Sequence, residues 1–335
     1  MKTYRIGIVG AGAVARQVHL PVLLNMDNVQ IAWVTDVNAE RAAGVAQSFR
    51  VPSIAAPPSP DDLPECDVVL LAIPVLYRRP YYEALARRGS AVFAEKPLAA
   101  TAAEHARVVS LFAPHRLACG YMRRLYATSL LLRRAVCHNW FGPLQRLRVT
   151  EGARGTRTGV DVSHYDDVGA AGGGVLLTQG CHTLDLALYV TAADGFEVLR
   201  RHLEWDGLID RRAEAALRLS GVGGRPEAAC EVEYRVSWLD DQDNAIELEF
   251  PAVRLRAGLQ PGARVTLVPR AGNWRPAEEF LSANGATTSN QAFFLEWDHF
   301  LRGLDEGKPG VMAASTAQGT AALIDALYGR AAEAA

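Results

Sequence analysis

The chain has 335 residues, a length that exceeds one ordinary hydrophobic core and predicts two domains. With 49% hydrophobic residues, 21% charged residues and a formal net charge of −2 at pH 7, it offers no bulk electrostatic reason to bind nucleic acid or an anionic membrane. Its five cysteines are widely spaced and include no C-x-x-C pair, so they predict neither a metal site nor a disulfide framework, and a reducing cytoplasm is the expected location.

The first 120 residues alternate between short apolar runs and segments with helical periodicity. The runs predicted as strands are YRIGIVG, IAWVTD, DVVLLAI, SAVFAEKP and RLACGY, and the predicted helices are VARQVHLPVLLN, NAERAAGVAQSF, RPYYEALARRG and TAAEHARVVSLFA. Apolar strands that alternate with helices are typical of a parallel sheet with helices on both faces. Residues 1–120 are therefore predicted to form an α/β domain of the Rossmann type.

The pattern changes after residue 120. Helices are predicted at 125–139 and 176–190, and from about 196 to 270 apolar and polar residues alternate, which predicts antiparallel strands with one solvated face. Alanine-rich helical segments follow, and no apolar run reaches the roughly 18 residues of a membrane-spanning helix. Residues 121–335 are predicted to form an α+β domain with a large, open, mainly antiparallel sheet, whose last helix packs back on the first domain.

A glycine-rich turn follows the first predicted strand and opens a helix. Its residues are Gly10, Gly12, Ala13, Val14 and Ala15, in a G-x-G-x-x-A arrangement. Gly10 permits the tight turn, Gly12 allows the backbone to approach a pyrophosphate, and Ala15 is small enough for close packing of helix on strand. The helix N-terminus presents N–H groups and a partial positive charge to that pyrophosphate. The turn therefore predicts a dinucleotide cofactor.

An acidic residue, Asp36, ends the second predicted strand, a little over 20 residues beyond the glycines. At this position a carboxylate hydrogen-bonds the adenosine ribose and repels a 2′-phosphate, so NAD is favoured over NADP. Arg41 lies nearby and offers a partner for a phosphate, which keeps NADP as the less favoured alternative.

A lysine in the stretch AVFAEKPLA stands out against the composition of the chain. Of the 35 Lys and Arg residues, only Lys2, Lys96 and Lys308 are lysines. Lys96 ends a predicted parallel strand, at the edge where open α/β sheets bind ligands. A lysine there can exchange a proton with a substrate oxygen, whereas an arginine stays protonated. Lys96 is therefore a candidate catalytic residue, and a surface pair with Glu95 is the structural alternative.

The segment GGGVLLTQGCHTLDLALYV supplies a second candidate for acid–base chemistry. His182 and Asp185 are spaced i, i+3 on one helical face, and Thr178 precedes His182 by four residues. A histidine, with an ordinary pKa of about 6.5, is suited to take a proton from an alcohol. Considered alone, a helical histidine is more often structural than catalytic.

Other polar residues are candidates for substrate contact. Tyr121 and Arg124 follow the strand that leads out of the first domain. The polar loop 153–171 contains two arginines, His164, Tyr165 and two aspartates, and loops of this length are often functional. Its arginines, Arg154 and Arg157, could hold a carboxylate or phosphate.

Taken in order, these motifs resemble the family of glucose–fructose oxidoreductase, inositol dehydrogenase and the rhizopine-catabolism oxidoreductases. The resemblance rests on GAGAVARQVHLPVL, a strand ending in Ala72-Ile73-Pro74, EKPLA, GYMRR and the spacing GGG-x-L-x-x-x-G-x-H-x-x-D, and it covers essentially the whole chain. It implies a nicotinamide cofactor, a sugar, cyclitol or sugar-nucleotide substrate, and a homodimer or homotetramer assembled through the C-terminal sheet. It also implies that the cofactor is contacted at Ile73, Pro74, Glu95 and Lys96, that Lys96 and His182 are catalytic, and that Asp185 contacts substrate.

The chain departs from the family pattern in two places. The family often has an aspartate four residues before its histidine, where this chain has Thr178, and a histidine after its third-strand proline, where this chain has Tyr77 or Arg78. Either Thr178 only hydrogen-bonds substrate, or Lys96 carries more of the proton transfer. The predicted function is an NAD(P)-dependent dehydrogenase or reductase that acts on a CH–OH group. An NAD-dependent glycoside hydrolase of the same fold and a non-catalytic dinucleotide-binding regulator are the alternatives.

Overall fold

The computed structural model describes residues 2–154, 172–270, 277–280 and 285–330, which divide into two compact units. The first unit contains the described residues up to Gly120 together with Gly172 and Phe293–Gln318, and the second unit contains the others. Thus a segment from late in the chain belongs to the first unit, whereas the last described helix, Gln318–Tyr328, lies almost wholly in the second.

The first unit is built on a five-stranded parallel sheet. Its strands are β1 (Tyr4–Val9), β2 (Val29–Thr35), β3 (Val68–Leu71), β4 (Ala91–Ala94) and β5 (Leu117–Cys119), in the order β2-β1-β3-β4-β5. Every residue of β3, β4 and β5 is buried, as expected where helices cover both faces of a parallel sheet. The predicted strands and their parallel pairing are confirmed.

The helices of this unit alternate with its strands, and two of them begin at a side chain that caps the first turn. A π-helical turn, Ala15–His19, runs into α1 (Leu20–Leu23), and α2 (Ala39–Phe49), α3 (Arg79–Arg87) and α4 (Ala102–Ser110) follow. The Thr101 hydroxyl accepts a hydrogen bond from the N–H of Glu104 at 3.2 Å, which is half of the predicted capping box at the start of α4.

The strand order creates a topological switch point between β1 and β3. From β1 the chain passes to β2 on one side, and it then returns to β3 on the other side of β1. In open α/β sheets, ligands bind beyond the carboxyl ends of the strands at such a point. The glycine turn after β1 and the Ala72-Ile73-Pro74 segment after β3 both lie at this edge.

The second unit carries an eight-stranded sheet among the described residues. Its strands are β6 (Arg146–Gly152), β7 (Gly195–Asp206), β8 (Ile209–Ser220), β9 (Ala229–Ser237), β10 (Ala245–Glu249), β11 (Val253–Gly258), β12 (Val265–Pro269) and β13 (Ala277–Phe280). They lie in the order β13-β12-β11-β10-β6-β9-β8-β7, and every pair is antiparallel except β6 with β9. The large, mainly antiparallel sheet is as predicted, but its central strand β6 was not, because RLRVTEG is a short alternating run isolated between helices.

Helices α5 (Ala127–Cys137), α6 (Cys181–Thr191), α7 (Ser289–Glu306) and α8 (Gln318–Tyr328) complete the fold. A π-helical turn, Leu176–Gly180, precedes α6. In the second unit, the Thr183 hydroxyl of α6 lies 3.1 Å from the Tyr234 hydroxyl of β9, which places α6 against the sheet. Among the described residues, no helix combines the length and apolar character that crossing a membrane requires.

In the first unit, α7 packs on the parallel sheet through aromatic side chains. The ring of Trp297 is fully buried and stacks on Phe93 of β4, with 4.3 Å between centroids and 19° between planes. Tyr4 of β1 donates a hydrogen bond to Asp305 at 2.5 Å. The segment from residue 293 onward is therefore part of the core of the first unit.

Candidate functional site

The glycine turn is shaped by contacts that only glycine allows. Gly10 has φ of +100°, and a Cβ built on it would lie 2.4 Å from the carbonyl oxygen of Ala72. A Cβ built on Gly12 would meet no protein atom within 4 Å. Gly10 therefore packs tightly against the end of β3, while Gly12 faces open space that a pyrophosphate can enter.

Asp36 ties this turn to the end of β2. Its Oδ2 accepts a hydrogen bond from the N–H of Ala11 at 2.8 Å, and its Oδ1 accepts one from the N–H of Asn38, also at 2.8 Å. The Arg41 guanidinium lies 3.5 Å from Oδ2. Asp36 is 7% exposed, and the two backbone donors fix the position of its carboxylate. The Arg41 side chain beside it is half-exposed.

The turn Glu95-Lys96-Pro97 follows β4 at the same edge of the sheet, and its last peptide bond is cis. Arg78, which is 4% exposed, donates to the carbonyl oxygen of Ile73 at 2.7 Å, to that of Pro97 at 2.6 Å, and to that of Glu95. Five N–H donors in a rigid fork suit one guanidinium to bind several carbonyls. Arg78 therefore joins the segments that follow β3 and β4.

A buried hydrogen-bond chain supports the same turn from the other side. The Trp297 indole N–H donates to Nδ1 of His19 at 3.1 Å, and Nε2 of His19 lies 2.8 Å from Oε1 of Glu95. Because an indole nitrogen only donates, Nδ1 must accept, so the single ring proton of His19 is on Nε2 and is donated to Glu95. Oε2 of Glu95 accepts from the N–H of Lys96 at 3.2 Å.

Glu95 is ionised in this environment. Burial alone would favour the neutral acid, but the hydrogen bond from His19 and the positive charges of Lys96 and Arg78 hold the pKa of Glu95 below its ordinary value. The charged carboxylate thus anchors the backbone of the turn that carries Lys96.

These residues fit a dinucleotide at the switch point. Gly12 leaves room for a pyrophosphate, the helical segment after it begins at this turn, and Asp36 offers a second lone pair on each oxygen to ribose hydroxyls. Ile73, Pro74, Glu95 and Lys96 lie beyond the ends of the two strands on the other side of the switch point.

In the second unit, His182 lies in the first turn of α6 and is 7% exposed. Its ring meets that of Tyr121 edge to face, with 6.2 Å between centroids. Thr178 lies in the preceding π-turn and donates its hydroxyl to the carbonyl oxygen of Gly174 at 2.8 Å. Since that hydroxyl replaces a carboxylate, Thr178 can accept a hydrogen bond but cannot take up a proton near neutral pH.

Arg124 and Asp185, which were predicted to contact substrate, form an ion pair with each other. Nε of Arg124 donates to Oδ2 of Asp185 at 2.8 Å, Nη2 donates to Oδ1, and Thr320 of α8 donates to the same carboxylate at 3.1 Å. Both side chains are at least 95% buried. This bidentate pair links the segment after Tyr121 to α6, and Thr320 links it to α8.

A buried aspartate explains the glycine triplet before the π-turn. Asp210 of β8 accepts from the N–H groups of Gly174 at 2.7 Å and Leu176 at 2.8 Å, and Tyr328 donates to it at 2.8 Å. A Cβ on Gly174 would lie 2.1 Å from the carbonyl oxygen of Asp210. Burial and the Asp210 charge raise the pKa of Tyr328, which keeps its hydroxyl a donor. The triplet therefore lets Asp210 cap the helix that carries His182.

The sequence of the first unit matches a known family. The model of the glucose–fructose oxidoreductase and inositol dehydrogenase family, described as an oxidoreductase family with an NAD-binding Rossmann fold, matches residues 4–121. Residues 4–121 thus match the NAD-binding Rossmann fold of this oxidoreductase family. The matched residues include the glycine turn, Asp36 and the Glu95-Lys96-Pro97 turn described above.

The chain has curated relatives that include a sugar-nucleotide reductase and an inositol dehydrogenase. It is 27% identical over 192 residues to a dTDP-3,4-didehydro-2,6-dideoxy-α-D-glucose 3-reductase of Streptomyces antibioticus, covering 57% of each chain. It is 32% identical over 129 residues to an inositol 2-dehydrogenase of Acidothermus cellulolyticus, covering 37% of each. The chain spans only 32%, 57% and 58% of the lengths of three of these curated relatives.

Solved structures share the fold over nearly the whole chain. KijD10, a 3-ketoreductase from Actinomadura kijaniata in complex with NADP and TDP-benzene, superposes with a TM-score of 0.79 at 17% identity and covers 98% of each chain. The aldose–aldose oxidoreductase from Caulobacter crescentus has a TM-score of 0.79 at 18% identity, covering 99% of this chain and 98% of that one. At these identities the likeness establishes the fold, and it confirms the predicted class.

The predicted site residues fall into three groups. Gly10, Gly12, Ala13, Val14, Asp36, Ile73, Pro74, Glu95 and Lys96 lie at one edge of the parallel sheet, and Tyr121, Arg124, Thr178, His182 and Asp185 lie around the start of α6 in the second unit. His164 and Tyr165 lie outside the described residues, as do Arg157 and the two aspartates of that loop. The catalytic and substrate-binding roles assigned to these residues stay predictions.

Sequence reasoning missed four residues that support the site: Arg78, His19, Trp297 and Asp210. The sequence marked Arg78 only as one of two candidates to stand in place of a family histidine. The other candidate, Tyr77, is exposed. His19 carried a signal in the stretch HLP, seven residues after Gly12, but its partners Glu95 and Trp297 are distant in sequence. Only the folded chain brings them together.

Proposed function

We propose that this chain is an NAD(P)-dependent oxidoreductase that interconverts a secondary alcohol and a ketone on a sugar, cyclitol or sugar nucleotide. The observation that carries the proposal is the shared edge of the parallel sheet, where the glycine turn and the turn with Lys96 follow β1 and β4. A bound nicotinamide supplies or accepts the hydride. The named relatives, which are reductases and dehydrogenases of sugars, sugar nucleotides and inositol, support the substrate class.

Two side chains are proposed to handle the proton. Lys96 polarises the reacting oxygen or exchanges a proton with it, because an ammonium both donates a hydrogen bond and can release a proton. His182 is proposed as the second general acid/base, while Thr178 orients substrate by hydrogen bonding. Lys96 is proposed as the better positioned of the two, because the backbone on both sides of it is hydrogen-bonded to the buried side chains of Arg78 and Glu95.

We propose NAD rather than NADP as the preferred cofactor. The Asp36 carboxylate is fixed by the N–H groups of Ala11 and Asn38 and would lie beside a ribose 2′-position, where it repels a phosphate. Arg41 is paired to Asp36 at 3.5 Å and so is partly neutralised for phosphate binding. We expect kcat/KM with NAD to exceed that with NADP, and an Asp36→Ser variant to shift the ratio toward NADP.

A substrate panel tests the reaction. The protein is incubated with sugars, cyclitols and dTDP- or UDP-linked hexoses, with oxidised or reduced cofactor, and the absorbance of reduced nicotinamide is followed. Turnover without net change in that absorbance would point to transient oxidation, as in a glycoside hydrolase, and binding of cofactor without turnover would point to a regulator. Either outcome overturns the proposed reaction.

Matched variants test the two proton-handling residues. Lys96→Met and His182→Asn are each expected to lower kcat by about 10²- to 10⁴-fold, the usual contribution of general acid–base catalysis. The exposed Lys308→Met and His202→Asn serve as controls and should retain wild-type turnover. Full activity of Lys96→Met on a confirmed substrate would refute its assignment.

We also propose a cytoplasmic homo-oligomer. All five cysteines are free thiols, which suits a reducing compartment. A homodimer or homotetramer through the C-terminal sheet is supported by the outward face of that sheet, whose side chains remain exposed in the single chain.

A further inference from the structure

The buried hydrogen-bond chain from Trp297 through His19 to Glu95 ends on the backbone of Lys96. All four residues lie in the first unit, and the side chains of Trp297 and His19 are fully buried. Trp297 belongs to α7 and lies outside residues 4–121, which match the family. The support of the turn with Lys96 is therefore completed by a segment from late in the chain.

Aromatic packing leaves the His19 ring one orientation. The ring meets those of Phe93, Phe293 and Trp297 edge to face, with centroids 5.8, 5.6 and 6.0 Å away. A ring enclosed in this way cannot turn over and exchange its two nitrogens without displacing an aromatic neighbour. The remaining freedom of His19 is the choice of the nitrogen that carries the proton.

Trp297 makes that choice. Its indole N–H only donates, so it requires Nδ1 of His19 to accept and leaves the ring proton on Nε2, which faces Oε1 of Glu95. With the proton on Nδ1, two donors would meet at one end of the ring and a lone pair would face a carboxylate at the other. The indole N–H therefore determines whether His19 donates to Glu95.

The orientation of Glu95 passes to the peptide group that joins it to Lys96. Because His19 holds Oε1 of Glu95, Oε2 is directed to the N–H of Lys96 at 3.2 Å. Arg78 binds the carbonyl oxygen of the same peptide group, so both polar atoms of that group are held. The plane of this peptide group sets the direction in which the Lys96 side chain leaves the backbone. Loss of the hydrogen bond from His19 would free the carboxylate to rotate and remove one of these two contacts.

Core stability by itself does not call for such a chain. An aliphatic side chain at position 19 would fill the aromatic surroundings without burying polar atoms, and apolar replacements of buried polar groups are often neutral or stabilising. What an aliphatic side chain cannot do is orient Glu95. A fully satisfied polar network instead fixes one arrangement of its members, which suits a role in holding the turn with Lys96.

We propose that Trp297 and His19 are positioning residues for Lys96. Both are too deeply buried to touch substrate, and both act on Lys96 through Glu95. This inference rests on the proposed function, because it takes Lys96 to act on the oxygen of the substrate. It adds a requirement outside residues 4–121, which is an indole N–H at position 297.

A double-mutant cycle separates positioning from packing. His19→Leu removes both hydrogen bonds and keeps an apolar side chain, whereas Trp297→Phe removes only the indole donor. On a confirmed substrate, His19→Leu is expected to lower kcat by about 10- to 100-fold, since a misplacement of about 1 Å can cost 100-fold, and Trp297→Phe should lower it by less. In a Lys96→Met background, both changes should leave kcat within about twofold, because the residue that they position is absent.

Two further variants are controls. Trp33→Phe removes a buried indole whose N–H has no hydrogen-bond partner among the described residues, and it should retain the wild-type kcat. His19→Gln keeps one donor and one acceptor in the same side chain, so it should recover most of the kcat that His19→Leu loses.

The lysine content of the chain allows a second measurement that needs no substrate. Lys2, Lys96 and Lys308 are its only lysines, and all three belong to the first unit. Protein labelled with ¹³C at lysine Cε therefore gives one nuclear magnetic resonance signal for each, and the signal of Lys96 is assigned by its loss in Lys96→Met. His19→Leu and Trp297→Phe are expected to shift the Lys96 signal and to leave the signals of Lys2 and Lys308 in place, which shows that the first unit remains folded.

The outcomes distinguish a failure of this inference from a failure of the proposed function. Full activity of Lys96→Met would overturn the proposed function and this inference with it. Where Lys96→Met is impaired, the inference alone is overturned if the changes at His19 and Trp297 lower kcat by the same factor in both backgrounds, or if they leave the Lys96 signal unshifted. If His19→Leu does not fold, Trp297→Phe supplies both measurements.

Discussion

The hydrogen bond from Trp297 to His19 provides a quantitative test of how the turn with Lys96 is supported. Trp297→Phe removes the indole N–H but keeps an aromatic ring that can stack on Phe93. Nδ1 of His19, which accepts that N–H at 3.1 Å, is then left as a buried acceptor without its donor. An unsatisfied buried polar group costs about 1–3 kcal/mol, and loss of part of the ring adds a packing cost.

A second tryptophan in the same unit separates these two costs. Trp33 is 2% exposed, and its indole N–H has no hydrogen-bond partner among the described residues. Trp33→Phe therefore loses only packing. We expect Trp297→Phe to lower the free energy of unfolding by about 1–3 kcal/mol more than Trp33→Phe, which is a roughly 5- to 160-fold difference in the unfolding equilibrium.

Urea denaturation followed by far-ultraviolet circular dichroism measures both variants, because both residues lie in the first unit and report on the same structure. Equal losses for the two variants would show that the Trp297 hydrogen bond contributes nothing net. A larger loss for Trp33→Phe would refute the reasoning outright, since it would mean that an unbonded indole contributes more than a bonded one of equal burial.

Three further outcomes follow from the same contacts. Asp185→Asn leaves the buried Arg124 guanidinium uncompensated and should cost about 3–5 kcal/mol in urea denaturation, whereas the paired change Arg124→Met/Asp185→Leu should cost less. The pKa of Glu95 in the folded state lies below its ordinary value of about 4.3. Glu95 therefore stabilises the fold above pH 4.3 and loses this contribution as the pH falls through the folded-state pKa. Glu95→Gln should accordingly make the free energy of unfolding less dependent on pH at acid pH. Gly10→Ala should abolish cofactor binding measured by fluorescence titration, because its Cβ would overlap the carbonyl of Ala72.

The turn with Lys96 and the helix with His182 are supported by different means, and Thr178 stands where the resemblance described above predicts an aspartate. The turn with Lys96 is held by Arg78 and by the ionised Glu95, both buried. The helix with His182 is held by the Asp210 cap at its start. A carboxylate is thus present near the start of that helix, but it is committed to backbone N–H groups and cannot replace the missing one.

Local sequence determined the elements of the first unit. Apolar runs such as VVLL and AVFA form buried parallel strands, because a parallel sheet that helices cover on both faces requires apolar side chains on both faces of each strand. The G-x-G-x-x-A turn and Asp36 also followed from local rules, since a glycine with positive φ and a carboxylate at a strand end act through their immediate neighbours.

Only the tertiary structure decided how the site is supported and how the charges of the sheet are arranged. The Trp297–His19–Glu95 chain joins residues up to 278 positions apart, and Asp210 caps a glycine 36 positions before it. Likewise, nothing in the sequence connects the surface residues Arg146 and Glu249, and the pairing of β6 with β10 makes them neighbours. Hydrogen bonds and ion pairs depend on distances in space, which the order of residues along a chain does not record. Backbone conformation depends largely on neighbouring residues, which that order does record.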